Sequence, residues 1–285
     1  MNSEAAVKSI LCVVGARPNF MKIAPIMRAF AADKSEYEPL LLHTGQHYDA
    51  AMKHSFFEQL HIPEPDIDLE VGSGTHAQQT AEIMKRFEPV LVSLSPEAVL
   101  VVGDVNSTIA CALVAIKMGV PVIHVEAGLR SGDRTMPEEI NRILTDQISD
   151  LLFTTEASAA DNLAREGVVG EVHCVGNVMI DTLRFNLDSV KPPAEIAKDL
   201  SIGEKIEEGY GLLTMHRPSN VDKPETLERL LRVLVKISLD IPLLFPCHPR
   251  TAARISEAGY ERLIADSRIV MLPPLGYLEM LGLMK

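Results

Sequence analysis

Charged side chains follow several apolar runs of the sequence, where they could bind an anionic ligand and act on it. Arg17 and Lys22 come after the first run, which ends at Gly15. Arg17 precedes a segment with helical spacing of apolar residues, and Lys22 lies near the start of that segment. A helix N-terminus with arginine and lysine suits phosphate, because the unpaired N–H groups and both cations favour negative charge. The alternative is that Arg17 is simply solvated and that Lys22 lies along apolar surface with its amine in water.

Three carboxylates further along the chain, Asp104, Glu126 and Glu138, are candidates for acid–base catalysis. Asp104 directly follows a glycine after an apolar run, but a residue in this position could equally cap a helix. Glu138 follows Pro137, and this pair is ordinary chemistry for the first turn of a helix. Glu126 is harder to explain by secondary structure alone, because nearby glycines would let the backbone approach a ligand.

A second group of cations follows apolar runs in the C-terminal half of the chain. His216 and Arg217 come after one such run, and His248 comes after the next. A histidine beside an arginine suits an anionic leaving group, since both can donate charge-assisted hydrogen bonds. His248 could equally be a solvated residue of a loop.

Alternating strands and helices are predicted along the whole chain, and they place these charged residues at strand ends. Strands are predicted at residues 9–14, 39–42, 98–102, 120–125, 151–154, 172–175, 211–214, 241–245 and 268–272. Helices are predicted at residues 20–30, 50–60, 109–117, 137–149, 157–165, 225–238, 251–258 and 275–284. This alternation is typical of doubly wound parallel sheets, in which ligands bind beyond the carboxyl ends of the strands.

Two domains are expected from the length of 285 residues and the hydrophobic content of 47%. A charged, proline-containing stretch after residue 190 interrupts the strand and helix pattern. We therefore predict two Rossmann-like α/β domains, residues 1–180 and residues 181–285. The second is predicted to be incomplete, because only three strands can be recognised in it.

The composition excludes several classes of partner. Nucleic acids and anionic membranes are bound through clustered lysine and arginine, whereas this chain has a net charge of −12. We therefore expect no nucleic acid and no membrane as a partner. The sequence has no apolar run long enough to span a bilayer and no secretory signal pattern, which together predict a cytoplasmic protein.

The spacing of the cysteines and the absence of several common motifs argue against several kinds of functional site. The four cysteines lie far apart in or beside apolar segments, at Cys12, Cys111, Cys174 and Cys247. We predict that they are reduced core thiols and that the chain has neither a metal site nor a disulfide framework. The sequence lacks the glycine-rich motifs of nicotinamide dehydrogenases and P-loop nucleotidases, and it lacks G-x-S-x-G and H-E-x-x-H.

Six short motifs occur in order from near the first strand to the second half of the chain. They are Gly15-Ala16-Arg17-Pro18, Gly103-Asp104, His124-Val125-Glu126-Ala127-Gly128-Leu129-Arg130, Pro137-Glu138-Glu139-x-Asn141-Arg142, Gly176-Asn177-x-x-Ile180-Asp181 and His216-Arg217. Together they resemble the non-hydrolysing UDP-N-acetylglucosamine 2-epimerases of bacteria and archaea. No single motif is specific to that family, but the combination is.

The resemblance implies a fold and a reaction. It implies two Rossmann-like domains arranged as in GT-B glycosyltransferases, with the active site in the cleft between them, no cofactor and a homodimer. The implied reaction inverts carbon 2 of a UDP-sugar substrate, converting UDP-N-acetylglucosamine to UDP-N-acetylmannosamine. UDP and the proton of carbon 2 are first eliminated to give 2-acetamidoglucal; UDP then bonds again to carbon 1 while a proton is added to the other face of carbon 2.

The resemblance also implies roles for individual residues. The positions that match catalytic residues of the family are Lys22, Asp104, Glu126, Glu138 and His216. The positions that match its UDP-binding residues are Arg17, His216 and Arg217. Gln46 and His47, together with His248, match a region where bacterial members bind a second substrate molecule as an allosteric activator.

Some departures from the family keep other functions open. Members of the family continue with a Ser-Gly-Gly-x-Gln-Glu-Glu stretch and a Thr-Glu-Arg-Pro stretch that hold the nucleotide, and the printed chain has neither. This predicts low activity and exposed apolar surface, and it keeps open an inactive fragment that binds nucleotide sugars. The short Asp133-Arg134-Thr135-Met136 segment also occurs in relatives that act on diacetamido-uronates, so a 2-epimerase of a modified UDP-sugar is a further alternative. A GT-B glycosyltransferase is the least favoured, because sugar transfer does not require three carboxylates at strand ends.

Overall fold

A computed structural model of the chain describes residues 8–32, 36–46, 56–205 and 209–285. Contacts between residues divide the chain into two units, Met1–Phe185 and Asn186–Lys285. Each unit contains a parallel sheet with helices packed against it. The predicted α/β class is therefore confirmed.

The sheet of the first unit has seven parallel strands in the order β3-β2-β1-β4-β5-β6-β7. The strands are β1 (Lys8–Val14), β2 (Tyr37–His43), β3 (Ile67–Asp68), β4 (Ala98–Val102), β5 (Val122–Ala127), β6 (Leu151–Thr154) and β7 (Glu171–Cys174). The chain builds outward from β1 in one direction and from β4 in the other. Such a reversal leaves a crevice at the carboxyl ends of β1 and β4, where doubly wound proteins bind ligands.

Besides a helical segment at residues 56–60, the described part of the first unit has six helices. They are α1 (Arg17–Ala32), α2 (His76–Leu94), α3 (Asn106–Lys117), α4 (Pro137–Ile148), α5 (Ala157–Arg165) and α6 (Val178–Leu187). Strand β4 is buried along its whole length, as its continuous apolar sequence requires. Ile83, Phe87 and Leu91 recur every four residues on one face of α2 and pack into the same core. Each such side chain stabilises the fold by about 1.5–3 kcal/mol, so the core holds the strand ends firmly in place.

The second unit is built around a sheet of three parallel strands in the order β10-β9-β8. The strands are β8 (Gly211–Leu212), β9 (Leu243–Pro246) and β10 (Ile269–Leu272). The helices are α7 (Pro193–Asp199), α8 (Pro218–Val221), α9 (Pro224–Asp240), α10 (Pro249–Glu257), α11 (Glu261–Ala265) and α12 (Tyr277–Met284). Phe245 packs into one apolar cluster and its neighbour Leu244 into another. Alternate residues of β9 thus face opposite sides of the sheet, as the period of a strand requires.

Two helices of the first unit are absent from the sequence prediction. Helix α2 contains Pro89, but a capping box precedes it, because the hydroxyl of Thr75 accepts a hydrogen bond from the backbone N–H of Gln78. This Thr-x-x-Gln signal was available in the sequence. Helix α6 spans the predicted limit between the two domains at residues 180 and 181. The helix predicted at 50–60 lies partly outside the described residues, and residues 56–60 are helical.

One prediction about the cysteines is wrong. Cys12, Cys111 and Cys247 are buried, but Cys174 is exposed. The reason is that β7 is an edge strand that, among the described strands, pairs only with β6, so its carboxyl end is open to water. Burial raises the pKa of Cys12 to about 12 and that of Cys247 to about 11, which makes both thiols poor nucleophiles.

Candidate active site

Asn19 connects the ends of β1 and β4 at the point where the strand order reverses. Its side-chain oxygen accepts hydrogen bonds from the backbone N–H groups of Gly15, at 3.1 Å, and Ala16, at 3.0 Å. Its amide nitrogen donates to the carbonyl oxygen of Val102 at 2.9 Å. Asn19 is 1% exposed, so these backbone groups depend on it in place of water. The loop that leads into α1 is thereby fixed to the end of β4.

Lys22 of α1 and Glu126 of β5 form an ion pair at the same edge of the sheet. Their side chains are 7% and 12% exposed, so little water screens the two charges. Gly103 lies against the pair, because a Cβ there would be 2.5 Å from Lys22 Nζ and 3.3 Å from Glu126 Oε2. Gly103 also has a φ of +66°, so both its backbone and this close approach require glycine.

The backbone of Glu126 is irregular. Val125 and Ala127 pair with consecutive residues of β6, so Glu126 is an extra residue in β5 with no partner in β6. Its φ is 72°, in the left-handed region, which costs a residue with a Cβ roughly 1–2 kcal/mol. Bulges of this kind redirect a side chain, and strain of this kind concentrates at functional sites. Here it accompanies a buried carboxylate paired with a lysine.

Asp104 is held at the end of β4 by two residues of α4. Arg142 Nε donates to Asp104 Oδ2 at 2.9 Å, and Asn141 Nδ2 donates to the backbone oxygen of Asp104 at 2.8 Å. Arg142 also contacts Glu139 Oε2 at 2.6 Å. Glu139 in turn accepts hydrogen bonds from two backbone N–H groups of the loop after β5, and these bonds contribute to lowering its pKa against the opposing effect of burial. Asp104 is thus an oriented acceptor that is only partly buried.

The third predicted carboxylate, Glu138, has a different environment. It is exposed in the first turn of α4, whereas the neighbouring Glu139 is buried and makes the contacts. Arg17 is also exposed, and its guanidinium lies 4.5 Å from the centre of the Phe56 ring. Stacking on an aromatic ring leaves the in-plane N–H groups of an arginine pointing outward, in the orientation that binds phosphate.

Gln46 lies in the loop after β2, beside the start of α3. Its side-chain oxygen accepts hydrogen bonds from the backbone N–H of Ser107, at 3.3 Å, and from the Ser107 hydroxyl, at 2.7 Å. Its backbone oxygen accepts from Gln79 at 3.1 Å. These contacts give Gln46 a structural role, and its predicted allosteric role stays a prediction. His47 lies outside the described residues.

The remaining predicted residues belong to the second unit. The rings of His216 and His248 lie side by side, with centres 6.4 Å apart. The hydroxyl of Thr251 donates to the backbone oxygen of Met215 at 2.7 Å, which fixes the segment after β8 against the start of α10. His216, Arg217 and His248 are all exposed at the carboxyl edge of the three-stranded sheet.

Three residues of the first unit were not predicted as functional, although they support the site. Asn19 joins two loops, Arg142 orients Asp104, and Asp146 is a fully buried carboxylate of α4. The sequence holds one signal for two of them. Residues three and four apart share a face of a helix, so Arg142 and Asp146 had to lie on the same face of α4 as Glu139.

The described residues contain no group of histidine, cysteine, aspartate and glutamate side chains that could hold a metal ion. In the same part of the chain, no helix has the length and apolar character needed to cross a membrane. The polar groups at the carboxyl edge of the first sheet form its candidate site, which contains carboxylates, a buried lysine and an exposed arginine. Such groups can transfer protons and bind phosphate.

Comparisons with known proteins agree with this chemistry. A family model described as UDP-N-acetylglucosamine 2-epimerase matches residues 29–285. A UDP-N-acetylglucosamine 2-epimerase homolog of Methanococcus maripaludis is 42% identical over 276 residues, which cover 96% of this chain and 75% of that protein. The UDP-2,3-diacetamido-2,3-dideoxy-D-glucuronate 2-epimerase of Pseudomonas aeruginosa is also 42% identical, with 97% and 75% covered.

Solved structures give the same result. The crystal structure of Methanocaldococcus jannaschii UDP-GlcNAc 2-epimerase in complex with UDP-GlcNAc and UDP matches with a TM-score of 0.84 and 39% identity, over 95% of this chain and 75% of that one. A UDP-GlcNAc 2-epimerase of Neisseria meningitidis bound to UDP-GlcNAc matches with a TM-score of 0.85 and 26% identity, over 97% and 75%. The order of motifs, the sheet topology and these relatives together show that the chain belongs to the UDP-N-acetylglucosamine 2-epimerase family.

Proposed function

We propose that this chain epimerises carbon 2 of UDP-N-acetylglucosamine to give UDP-N-acetylmannosamine. The observation that carries the proposal is the largely buried Lys22–Glu126 pair, which lies beside Gly103 at the crevice where the strand order reverses. The reaction removes a proton from an unactivated carbon, which requires a positioned carboxylate shielded from water. Relatives about 40% identical that are named for this reaction support the same substrate.

The proposed roles follow the chemistry of elimination and re-addition. One group must accept the proton from carbon 2, and one must return a proton to the other face. Asp104, Glu126 and Glu138 are our candidates for these two steps. Lys22 forms an ion pair with Glu126 and so fixes the orientation of that carboxylate.

UDP leaves as an anion and must be held for re-addition. We assign Arg17 to its phosphates, because the guanidinium is exposed, stacked on Phe56 and next to the start of α1. His216 and Arg217 are assigned to the leaving group from the second unit, with His216 as a further catalytic residue. Each of these side chains can donate a hydrogen bond to an anion, which is what stabilising the charge on departing UDP requires.

A second candidate substrate is a UDP-2,3-diacetamido-uronate. The relative from Pseudomonas aeruginosa that is named for this activity is as similar to the chain as the epimerase homolog of Methanococcus maripaludis. The two substrates differ at carbon 3 and in the carboxylate at carbon 6. Turnover of both sugars should be compared at equal concentration, and a preference of at least 100-fold for the uronate would reassign the substrate.

The test of the proposed function uses UDP-N-acetylglucosamine in deuterium oxide. Wild-type protein should produce UDP-N-acetylmannosamine and incorporate deuterium at carbon 2, both visible by NMR. Glu126→Gln should slow both processes by about two to four orders of magnitude, the usual contribution of a general acid or base. Glu97→Gln is the matched control, because Glu97 is exposed at the amino end of β4, at the opposite edge of the sheet. Neither product nor deuterium with either sugar would refute the proposal.

Further features of the family complete the proposal. We propose a homodimer that works in the cytoplasm, and light scattering of the purified protein measures the assembly. We also propose that Gln46, His47 and His248 bind a second substrate molecule as an activator. Initial rates should then depend on substrate sigmoidally, and hyperbolic rates in wild-type protein would rule the activator site out.

A further inference from the structure

We infer that His124 and Asp146 are positioning residues for this reaction: together they hold the Gly103 carbonyl and the backbone on either side of Glu126. The inference rests on the proposed function. It concerns a pair of residues that cannot touch substrate, because both side chains are 0% exposed. Their effect on catalysis must therefore pass through the backbone that they hold.

The contacts of the pair reach two strand ends. His124 of β5 places Nδ1 at 2.7 Å from Asp146 Oδ1 of α4. Its Nε2 lies 2.9 Å from the backbone oxygen of Gly103. Asp146 Oδ2 accepts a hydrogen bond from the backbone N–H of Gly128 at 3.1 Å and contacts Arg130 at 2.8 Å. One carboxylate therefore links the loop after β4 to the segment after Glu126.

Hydrogen-bond accounting gives the direction of each contact. A carbonyl oxygen can only accept, so the Nε2 of His124 carries the hydrogen toward Gly103. Asp146 is surrounded by donors, because Gly128 and Arg130 approach its other oxygen, so it acts as a carboxylate. Nδ1 of His124 faces Oδ1 of the same carboxylate at 2.7 Å. The ring therefore bridges Asp146 and the Gly103 carbonyl.

Gly103 is the backbone position at which a shift matters most. Its N–H donates to the carbonyl of Val125 at 3.0 Å, and its carbonyl accepts from His124, so β5 holds both ends of this residue. Its Cα faces the Lys22–Glu126 pair closely enough to exclude a side chain. Releasing the carbonyl would let Gly103 rotate, which would move Asp104 and disturb the pair. Misplacement of reacting groups by about 1 Å can cost ~100-fold in rate.

Two substitutions of His124 separate positioning from simple packing. The amide nitrogen of glutamine reaches about as far as Nε2 of histidine, whereas that of asparagine reaches about as far as Nδ1. His124→Gln should therefore retain the donor to Gly103, and His124→Asn should lose it. We expect His124→Asn to lower kcat by ~100-fold with KM changed by less than about 3-fold, and His124→Gln to recover at least about 10-fold of that loss.

Asp146→Asn tests the other half of the pair and has a matched control. It should lower kcat by ~10-fold or more, because the ring loses the acceptor that orients it. Asp150→Asn is the control, since Asp150 lies just after α4 and, like Asp146, accepts a hydrogen bond from a backbone N–H, but from Val122 at the amino end of β5. This control should leave kcat unchanged. All rates are measured with UDP-N-acetylglucosamine well below the lowest melting temperature of the set.

Each outcome decides the inference. Folded His124→Asn and Asp146→Asn proteins with wild-type kcat would overturn it, as would equal losses in His124→Gln and His124→Asn. If the His124 variants do not fold, 1H–15N spectra of the wild-type ring decide: a hydrogen on Nε2 supports the contact with Gly103, and its absence overturns the inference. Wild-type protein with no turnover of either sugar would instead refute the proposed function, and the inference would fall with it.

Discussion

Replacing Gly103 by alanine tests how closely the site is packed. The new Cβ would lie 2.5 Å from Lys22 Nζ, whereas unstrained heavy atoms approach to about 3.5 Å, so the ammonium must retreat by about 1 Å. The left-handed backbone adds roughly 1–2 kcal/mol, because φ at this position is +66°. A displacement of about 1 Å at reacting groups can lower the rate ~100-fold. We therefore expect a modest loss of stability and a large loss of activity.

The glycine at position 119 provides the matched control. Gly119 has a φ of +75°, and a Cβ at this position would meet no atom of the described residues within 4 Å. Gly119→Ala therefore has the same backbone cost without the collision. Urea unfolding should give a loss of roughly 1–2 kcal/mol for Gly119→Ala and at least that loss for Gly103→Ala. Deuterium incorporation at carbon 2 should fall ~100-fold in Gly103→Ala alone. Near-normal turnover in Gly103→Ala would refute the reasoning, and so would an equal fall in Gly119→Ala.

Three further predictions concern single residues. Arg17→Ala should weaken UDP binding by about 2 kcal/mol, measured by calorimetry, with almost no change in melting temperature; intact affinity with a large melting shift would show a structural role instead. Burial opposes ionisation of Asp146, but His124 and Arg130 outweigh burial and lower the pKa of Asp146 below its usual 3.8. The stabilisation that ionised Asp146 gives the fold is therefore complete above about pH 4 and is lost as pH falls through the lower pKa of the folded state. Urea unfolding below pH 4 should therefore weaken faster in wild-type protein than in Asp146→Asn, and parallel slopes would contradict this. Iodoacetamide should modify the exposed Cys174 first, and early labelling of any buried cysteine in native protein would contradict the structure.

Strand ends were the part of the site that the sequence could predict. Apolar runs gave β4 and β6 their observed limits, and the rule for parallel sheets then placed Lys22, Asp104 and Glu126 at one edge. That rule needs only the ends of the strands, so errors in the intervening helices did not affect it. The family resemblance was confirmed by the family model and by relatives more than 40% identical.

Pairing within the site could not be predicted from spacing. Lys22 and Glu126 are separated by 104 positions, and no local pattern specifies that their charges meet. The choice between Glu138 and Glu139 as the buried residue depends on how α4 is rotated against the sheet, and two adjacent glutamates carry no signal for it. Asn19 directly follows the Gly15-Ala16-Arg17-Pro18 motif. Its role depends on β1 and β4 being neighbours in the sheet, which the sequence spacing does not specify.

Glu126, the extra residue in β5, does not pair with β6, so the side chain at this position does not determine how the strands pair. Val125 and Ala127 keep their partners in β6 whichever side chain stands between them, so position 126 can change without shifting the register of the strands. The neighbouring residues set the structural requirements, since Lys22 needs a counter-charge and Gly103 has no room for a side chain. A protein with this architecture can acquire a different reactive group at position 126 by a single substitution, provided that the group also neutralises the lysine.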